Sequence, residues 1–325
     1  CDRPGQNRQT LMLDILGITG PIYITILFGY LATRQGLFAK ADMQVFGKFV
    51  INLALPAMLF NALAQRRLGE IVNLSYILAY AVGTLLLVAL ARLWSVRVAR
   101  QSALAGSFYA MGMTCSNSGF VGYPILLLTM APVAGVALAL NMVVENLLVI
   151  PLLLAMADRA NGDKGSWLGM LGQSLKRLAA NPMIMGLAAG FVASLLEWTP
   201  PGPVTRTIDL FASACGVLSL FVIGGTLVNL PLRGMATQIA PIVFGKLIAH
   251  PALVAAALWL LPWSGLPGVE PQLHQAAILL AAMPMMGIYP LLALKYGQEG
   301  VSAAALLAAT MASFLTVSAL LWLMT

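Results

Sequence analysis

Asn117-Ser118-Gly119-Phe120-Val121-Gly122-Tyr123-Pro124, inside the apolar run from Ala103 to Met130, is the stretch on which the fold of this chain turns. A membrane-crossing helix ordinarily stays regular, yet here a polar run of Thr114, Ser116, Asn117 and Ser118 meets two glycines and a proline. Proline removes a backbone donor and glycine relaxes the chain, so the segment is expected to unwind and free N–H and C=O groups. A second such stretch, Pro284-Met285-Met286-Gly287-Ile288-Tyr289-Pro290, interrupts the run from Ala276 to Leu294. Freed backbone in a bilayer is tolerated only where it is buried in protein or lines a wet cavity. A half-helix N-terminus aimed into that cavity offers partial positive charge to an anion. Glycine and proline also occur in ordinary transmembrane helices, where a neighbour absorbs the kink. The matched placement of the two stretches favours a site.

The composition supplies the setting. The 325 residues are 60% hydrophobic and only 9% charged, with a mean hydropathy of +0.89. Soluble domains run near 25% charged, so an all-α integral membrane protein is expected. Roughly ten spans of about 20 residues would leave no room for a sizeable soluble domain. That disfavours cytosolic enzymes, nucleic-acid binders and receptors with a separate signalling module.

Hydropathy places spans near Ile15–Leu31, Phe46–Leu63, Ser75–Leu93, Ala103–Met130 and Ala134–Ala157. Five more follow near Pro182–Leu196, Ile208–Leu230, Ile239–Leu261, Ala276–Leu294 and Ala303–Met324. The organisation read from this is a polar N-terminal tail over 1–11 and a first five-helix repeat over 12–157. A connection over 158–181 leads to a second five-helix repeat over 182–325. The first span reads as a retained signal-anchor. In the connection Leu168, Leu171, Leu175 and Leu178 recur at helical spacing, the pattern of a short amphipathic helix. The interruptions fall in spans 4 and 9.

Of the positive charges, eleven lie on the odd-numbered connections: Arg34, Lys40, Arg92, Arg97, Arg100, Arg159, Lys164, Lys176, Arg177, Arg233 and Lys295. The even-numbered connections carry Arg66, Arg67 and Arg206, and the tail Arg3 and Arg8. The positive-inside rule then puts the odd loops in the cytoplasm and both termini outside, in a bacterial inner membrane. An odd number of spans per repeat forces the second repeat to enter from the opposite side, the inverted-repeat plan of many secondary transporters.

The first interruption resembles the crossover signature Asn-x-Gly-Phe-x-Gly-x-Pro of the auxin efflux carrier family. Similar too are Leu55-Pro56-Ala57-Met58-Leu59-Phe60, Phe221-Val222-Ile223-Gly224-Gly225-Thr226-Leu227 and Lys246-Leu247-Ile248-Ala249-His250-Pro251. The resemblance spans essentially the whole chain. It implies two inverted repeats, broken helices crossing at mid-membrane, and alternating access by a transport domain moving against a scaffold. Bacterial members resemble permeases for malonate and other small organic anions, and plant members carry auxin, also a carboxylate. Carried over by position, Asn117, Gly119 and Pro124 are the foremost site residues. Thr114, Ser116 and Ser118 join them from the first interruption, and Pro284, Gly287, Tyr289 and Pro290 from the second. At the second crossover Met285, Met286 and Gly287 stand where the family often has polar residues.

Among ionisable groups, Glu145 is the carboxylate deep in a span, with Asn141 one turn before it. A charge there is costly, so Glu145 is a proton carrier or a hydrogen-bonded acid holding helices together, with Asn141 as its partner. Lys246 and His250 share a helical face. They could supply positive charge to an anion or pair with Glu145, or Lys246 could snorkel to the surface. Asp14 and Asp209 read as residues at span starts, His274 as a solvated loop residue, and Gly186 and Gly190 as a helix-packing pair. The reading is a secondary carrier for a small organic anion, with or without protons, in the bilayer and possible as a homodimer. A channel or membrane sensor shares these features. An intramembrane enzyme is disfavoured, since neither Ser116 nor Ser118 lies in a Gly-x-Ser-x-Gly context. No cofactor or metal is expected from so few, scattered Cys and His residues.

Overall fold

The computed structural model describes residues 4–64, 73–162, 180–228 and 235–324, and among these every regular element is helical. In chain order they are α1 (Pro4–Arg34), α2 (Lys40–Ala64), α3 (Leu74–Arg97), α4 (Ala103–Thr114), α5 (Ser118–Thr129) and α6 (Ala131–Ala160). Then come α7 (Pro182–Leu195), α8 (Gly202–Thr226), α9 (Ala236–Ser264), α10 (Pro271–Ala281), α11 (Tyr289–Leu294) and α12 (Glu299–Met324). Six of them, α2, α3, α6, α8, α9 and α12, are long and apolar enough to cross a membrane by length and composition, and α5 and α7 are shorter apolar helices.

Several boundaries differ from those expected. Helix α1 begins at Pro4, so the tail over 1–11 is continuous with the first helix from that residue on and Asp14 lies well inside it. Asp209 sits about two turns inside α8, beyond the first turn in which a helix N-terminus favours a carboxylate, and accepts instead from Asn61 Nδ2 at 2.7 Å. His274 belongs to α10 and is half-buried, not a solvated loop residue. The expected amphipathic helix around Leu168–Leu178 and the basic residues Arg3, Arg66, Arg67, Lys164, Lys176, Arg177 and Arg233 lie outside the described residues.

Among the described residues four helices widen into π turns, at Val50–Ala54, Ser118–Gly122, Glu145–Val149 and Gly245–Ala249. Each is followed, one residue on, by a proline: Pro56, Pro124, Pro151 and Pro251. The cause is local. Proline brings no N–H to the ladder, and the residue before it donates five positions back: Leu55 to Val50 O, Tyr123 to Ser118 O, Ile150 to Glu145 O and His250 to Gly245 O. The wider turn carries one extra residue and re-aims its side chains, Glu145 and Lys246 among them.

The helices pack in two groups. In one, α1 lies along α8 and α2 along α7, with α8 also against α2. These contacts are glycine seams: a Cβ on Gly29 or Gly224 would run into the carbonyls of Phe221 or Ile26, and one on Gly186 or Gly190 would stand 2.5 Å or 2.7 Å from those of Pro56 or Phe60. Gly186 and Gly190 thus pack helices, as their spacing predicts, because small residues let backbones approach. In the other group α3 packs on α4 and α9, α4 on α6, α9 on α10 and α12, and α11 on α12. Most of the fully buried side chains, including Tyr76, Tyr80, Phe108 and Tyr289, belong to this second group.

Candidate functional site

Both interruptions lie in the second group, and they meet each other. Helix α4 stops at Thr114; Cys115 is extended at φ −87° and ψ 114°, and helical structure resumes at Ser118. Helix α10 stops at Ala281 and α11 starts at Tyr289. Between them Asn117 N–H donates to Pro284 O at 2.8 Å and Met286 N–H to Cys115 O at 3.1 Å, a two-bond antiparallel bridge between Ser116 and Met285. Backbone groups released by one interruption are therefore satisfied by the other, as a water-poor interior requires.

A polar network is built around Ser116. Lys246, fully buried on the π turn of α9, donates from Nζ to Ser116 Oγ at 2.8 Å and Ala281 O at 2.6 Å, and meets His250 Nδ1 at 2.9 Å. Ser116 Oγ and Ala281 O are two acceptors for that nitrogen, and His250 Nδ1, which also lies 3.2 Å from Ala281 O, is a third only in the tautomer that leaves it unprotonated. On the other side Glu145 Oε1 accepts from Ser116 N–H at 3.0 Å, Asn141 Nδ2 at 3.2 Å and Tyr80 OH at 3.4 Å. Donors alone surround that oxygen, which suits a carboxylate. Glu145 and Lys246 are joined through Ser116, with no ion pair within 4.0 Å between them. The Ala281 carbonyl is at the C-terminal end of α10, where the helix dipole is negative and favours the lysine.

Snorkelling of Lys246 is not what the structure holds: its ammonium is fully enclosed and turned to the first interruption. His250 Nε2 reaches Thr84 Oγ1 at 3.0 Å and its ring meets Tyr80 edge-on at 5.7 Å. Neither Tyr80 nor Thr84 was singled out from the sequence. The signal was there in polar-tipped residues at helical spacing on an apolar span, Tyr76, Tyr80 and Thr84, all fully buried. The Ala281 carbonyl carries no sequence signal at all.

The remaining candidates divide. Asn117 is buried, yet its amide has no hydrogen-bond partner among the described residues. Ser118 Oγ accepts from Asn141 Nδ2 at 2.6 Å, and Asn141 Oδ1 is left without a partner among the described residues. Thr114 Oγ1 is spent on Ala110 O at 2.7 Å, and Gly119 lies close under Leu55. Tyr289, expected to offer its hydroxyl, donates it to Phe108 O at 2.8 Å in a fully buried position. Gly287 faces open space, and Pro284 contributes its carbonyl to the bridge. Pro290 opens α11, where a missing N–H costs nothing.

Pro124 and Tyr123 also line a cavity of about 450 Å³ between α5 and the helices α1, α2 and α8 of the other group, with Thr25, Asn61 and Ser213 as its polar wall. The network and the cavity thus draw on different helices and share α5. Among the described residues no cluster of His, Cys, Asp or Glu could hold a metal ion.

Comparison with known proteins gives the same direction. The membrane transport protein family matches residues 19–323. A protein of Rhizobium meliloti (strain 1021) described as "Putative malonate transporter" is 30% identical over 315 residues, covering 96% of each chain. An "Uncharacterized transporter" of Methanothermobacter thermautotrophicus is 24% identical over 84% of this chain and 86% of its own. The "Uncharacterized transporter YfdV" of Escherichia coli (strain K12) is 24% identical over 74% of this chain and 77% of its own.

Proposed function

Since the chain belongs to the membrane transport protein family, the auxin efflux carriers, we propose that it is a secondary active transporter moving a small organic anion, such as malonate or another carboxylate, across the plasma membrane by alternating access. The observation that carries this reading is the pairing of the two interruptions by backbone hydrogen bonds, with the buried Asn117 amide unspent. Helical structure restarting at Ser118 gives an anion N–H groups and a favourable dipole end.

In this reading the chain holds ten spans as two inverted five-helix repeats, and the interruptions are broken crossover helices in spans 4 and 9. The packing supports it, because equivalent pairs recur: α1 with α8 mirrors α7 with α2, α3 with α4 mirrors α9 with α10, and α3 with α6 mirrors α9 with α12. The glycine-seamed group would be the scaffold and the other group the moving body. Both termini would face outward.

Proton coupling, where present, runs through Glu145 and Asn141. With Glu145 ionised, Asn141 donates to it through Nδ2, leaving Oδ1 unpaired. With Glu145 protonated, the Asn141 amide turned over would accept the carboxyl proton at Oδ1, so that one buried amide has a partner for either charge state. The Lys246–His250 pair then holds the positive charge that faces Ser116.

The test is uptake of labelled malonate into proteoliposomes with and without an imposed pH gradient, against unlabelled succinate, acetate and indole acetate. Saturable uptake with counterflow is expected. Flux without saturation would make the protein a channel, and no uptake of any acid would remove the substrate assignment. Glu145→Gln should abolish stimulation by the gradient; stimulation that survives takes Glu145 out of the coupling.

A further inference from the structure

A second cavity, of about 510 Å³, opens between α3 and α6, on helices away from the Pro124 cavity. Its walls are apolar, with Leu85, Val88 and Leu93 from α3 and Leu152 and Met156 from α6. At one end stand two guanidinium groups, Arg92 and Arg97. From Leu85 to Arg97 the helix rises about 18 Å, close to the ~15 Å half-thickness of a bilayer's hydrocarbon core. Apolar along its length and cationic at its end, the groove has the polarity of one leaflet.

The cationic end is organised as a binding site. Arg92, which lines the cavity, donates from Nη1 to the fully buried Ser107 Oγ at 2.7 Å, which holds its planar fork in place. Among the described residues neither guanidinium has a carboxylate partner. Asp158, two residues beyond Met156 on α6, is occupied by Lys295 at 3.3 Å and by the Tyr296 hydroxyl. Two unneutralised arginines over an apolar groove call for an anion attached to a hydrocarbon chain.

We infer that the groove between α3 and α6 binds an anionic phospholipid of the phosphatidylglycerol type, its phosphate between Arg92 and Arg97 and one acyl chain along Leu85, Leu93, Leu152 and Met156. The inference needs the chain to be in a bilayer and is independent of which anion it carries. Arg92 also ties α3 to Ser107 of α4, the helix that ends at Thr114, so the bound headgroup lies one hydrogen bond from the helix leading into the polar network.

Native mass spectrometry of protein taken from nanodiscs of mixed phosphatidylglycerol and phosphatidylcholine tests this. The wild type should retain phosphatidylglycerol preferentially. Arg97→Gln should lower that retention about fivefold, as expected for one basic side chain near a headgroup. Leu152→Trp, which fills the groove and leaves both charges, should lower it as well. Excess inorganic phosphate should not displace the lipid. Equal retention of the two lipids, wild-type retention by either variant, or displacement by phosphate alone would overturn the inference, the last by showing a simple anion site.

Discussion

The two interruptions do the same backbone job with different means. The first is short, Cys115 to Asn117, and held by side chains: Glu145 takes the Ser116 N–H, Lys246 the Ser116 hydroxyl. The second runs from Ala282 to Ile288 among Met283, Met285 and Met286, and it contributes main-chain groups, Ala281 O to Lys246, Pro284 O to Asn117 and Met286 N–H to Cys115 O. The difference teaches that a charged network can be anchored at one end by residue identity and at the other by shape alone. Substitutions should therefore be costly on the first side and mild on the second.

The largest expected effect is at Lys246. Lys246→Met leaves Glu145 buried without its counter-charge and should cost about 3–5 kcal/mol, read as a fall in thermal unfolding temperature in detergent. Combining it with Glu145→Gln should recover part of that loss. A single variant as stable as wild type would break the comparison at its root, by showing that no charge is held at Ser116.

Next is Asn117→Ala, which removes the unspent amide. If that amide meets a carboxylate, the lost hydrogen bond is worth about 1.5–3 kcal/mol, or roughly tenfold to a hundredfold in uptake, with membrane insertion unchanged. Normal uptake by this variant would take the first interruption out of the transport mechanism. Tyr289→Phe is smaller. It deletes the bond to Phe108 O and should destabilise by about 0.5–1.5 kcal/mol with little change in substrate affinity, and a marked loss of affinity would return the Tyr289 hydroxyl to the site.

The mildest changes are on the second side. Gly287→Ala meets open space and Met286→Leu conserves volume, so each should cost less than about 1.5 kcal/mol and leave uptake within about twofold. A large loss of uptake in either, measured in the same proteoliposomes, would show that the methionine-lined side recognises substrate through its side chains.

What was legible in the sequence followed the same divide. Hydropathy and punctuation located the long helices and both interruptions, and isolated polar residues in apolar runs pointed to Glu145, Asn141, Lys246 and His250. Helical spacing does not reveal which of them meet: Ser116 as the bridge and Thr84 as the histidine's second partner depend on four helices arriving at one place. Main-chain acceptors such as Ala281 O have no residue type to give them away. Helix α1 reaches back to Pro4, ahead of the span near Ile15–Leu31: polar residues 4–11 carry no hydropathy signal, and helix formation does not require one. The Tyr289 hydroxyl reads as available beside a break, and its donation to a backbone carbonyl of α4 has no sequence signal.

The four proline-linked π turns bear on how the lipid-facing surface is mapped. One extra residue per turn rotates everything beyond it by about 100° relative to an unbroken α-helix. A cysteine-labelling scan along α6 or α9 should therefore show an accessibility wave of helical period that slips phase once, at Glu145–Val149 and at Gly245–Ala249 respectively. A helical wheel drawn through either turn without that slip would assign to the lipid some of the residues that line the interior.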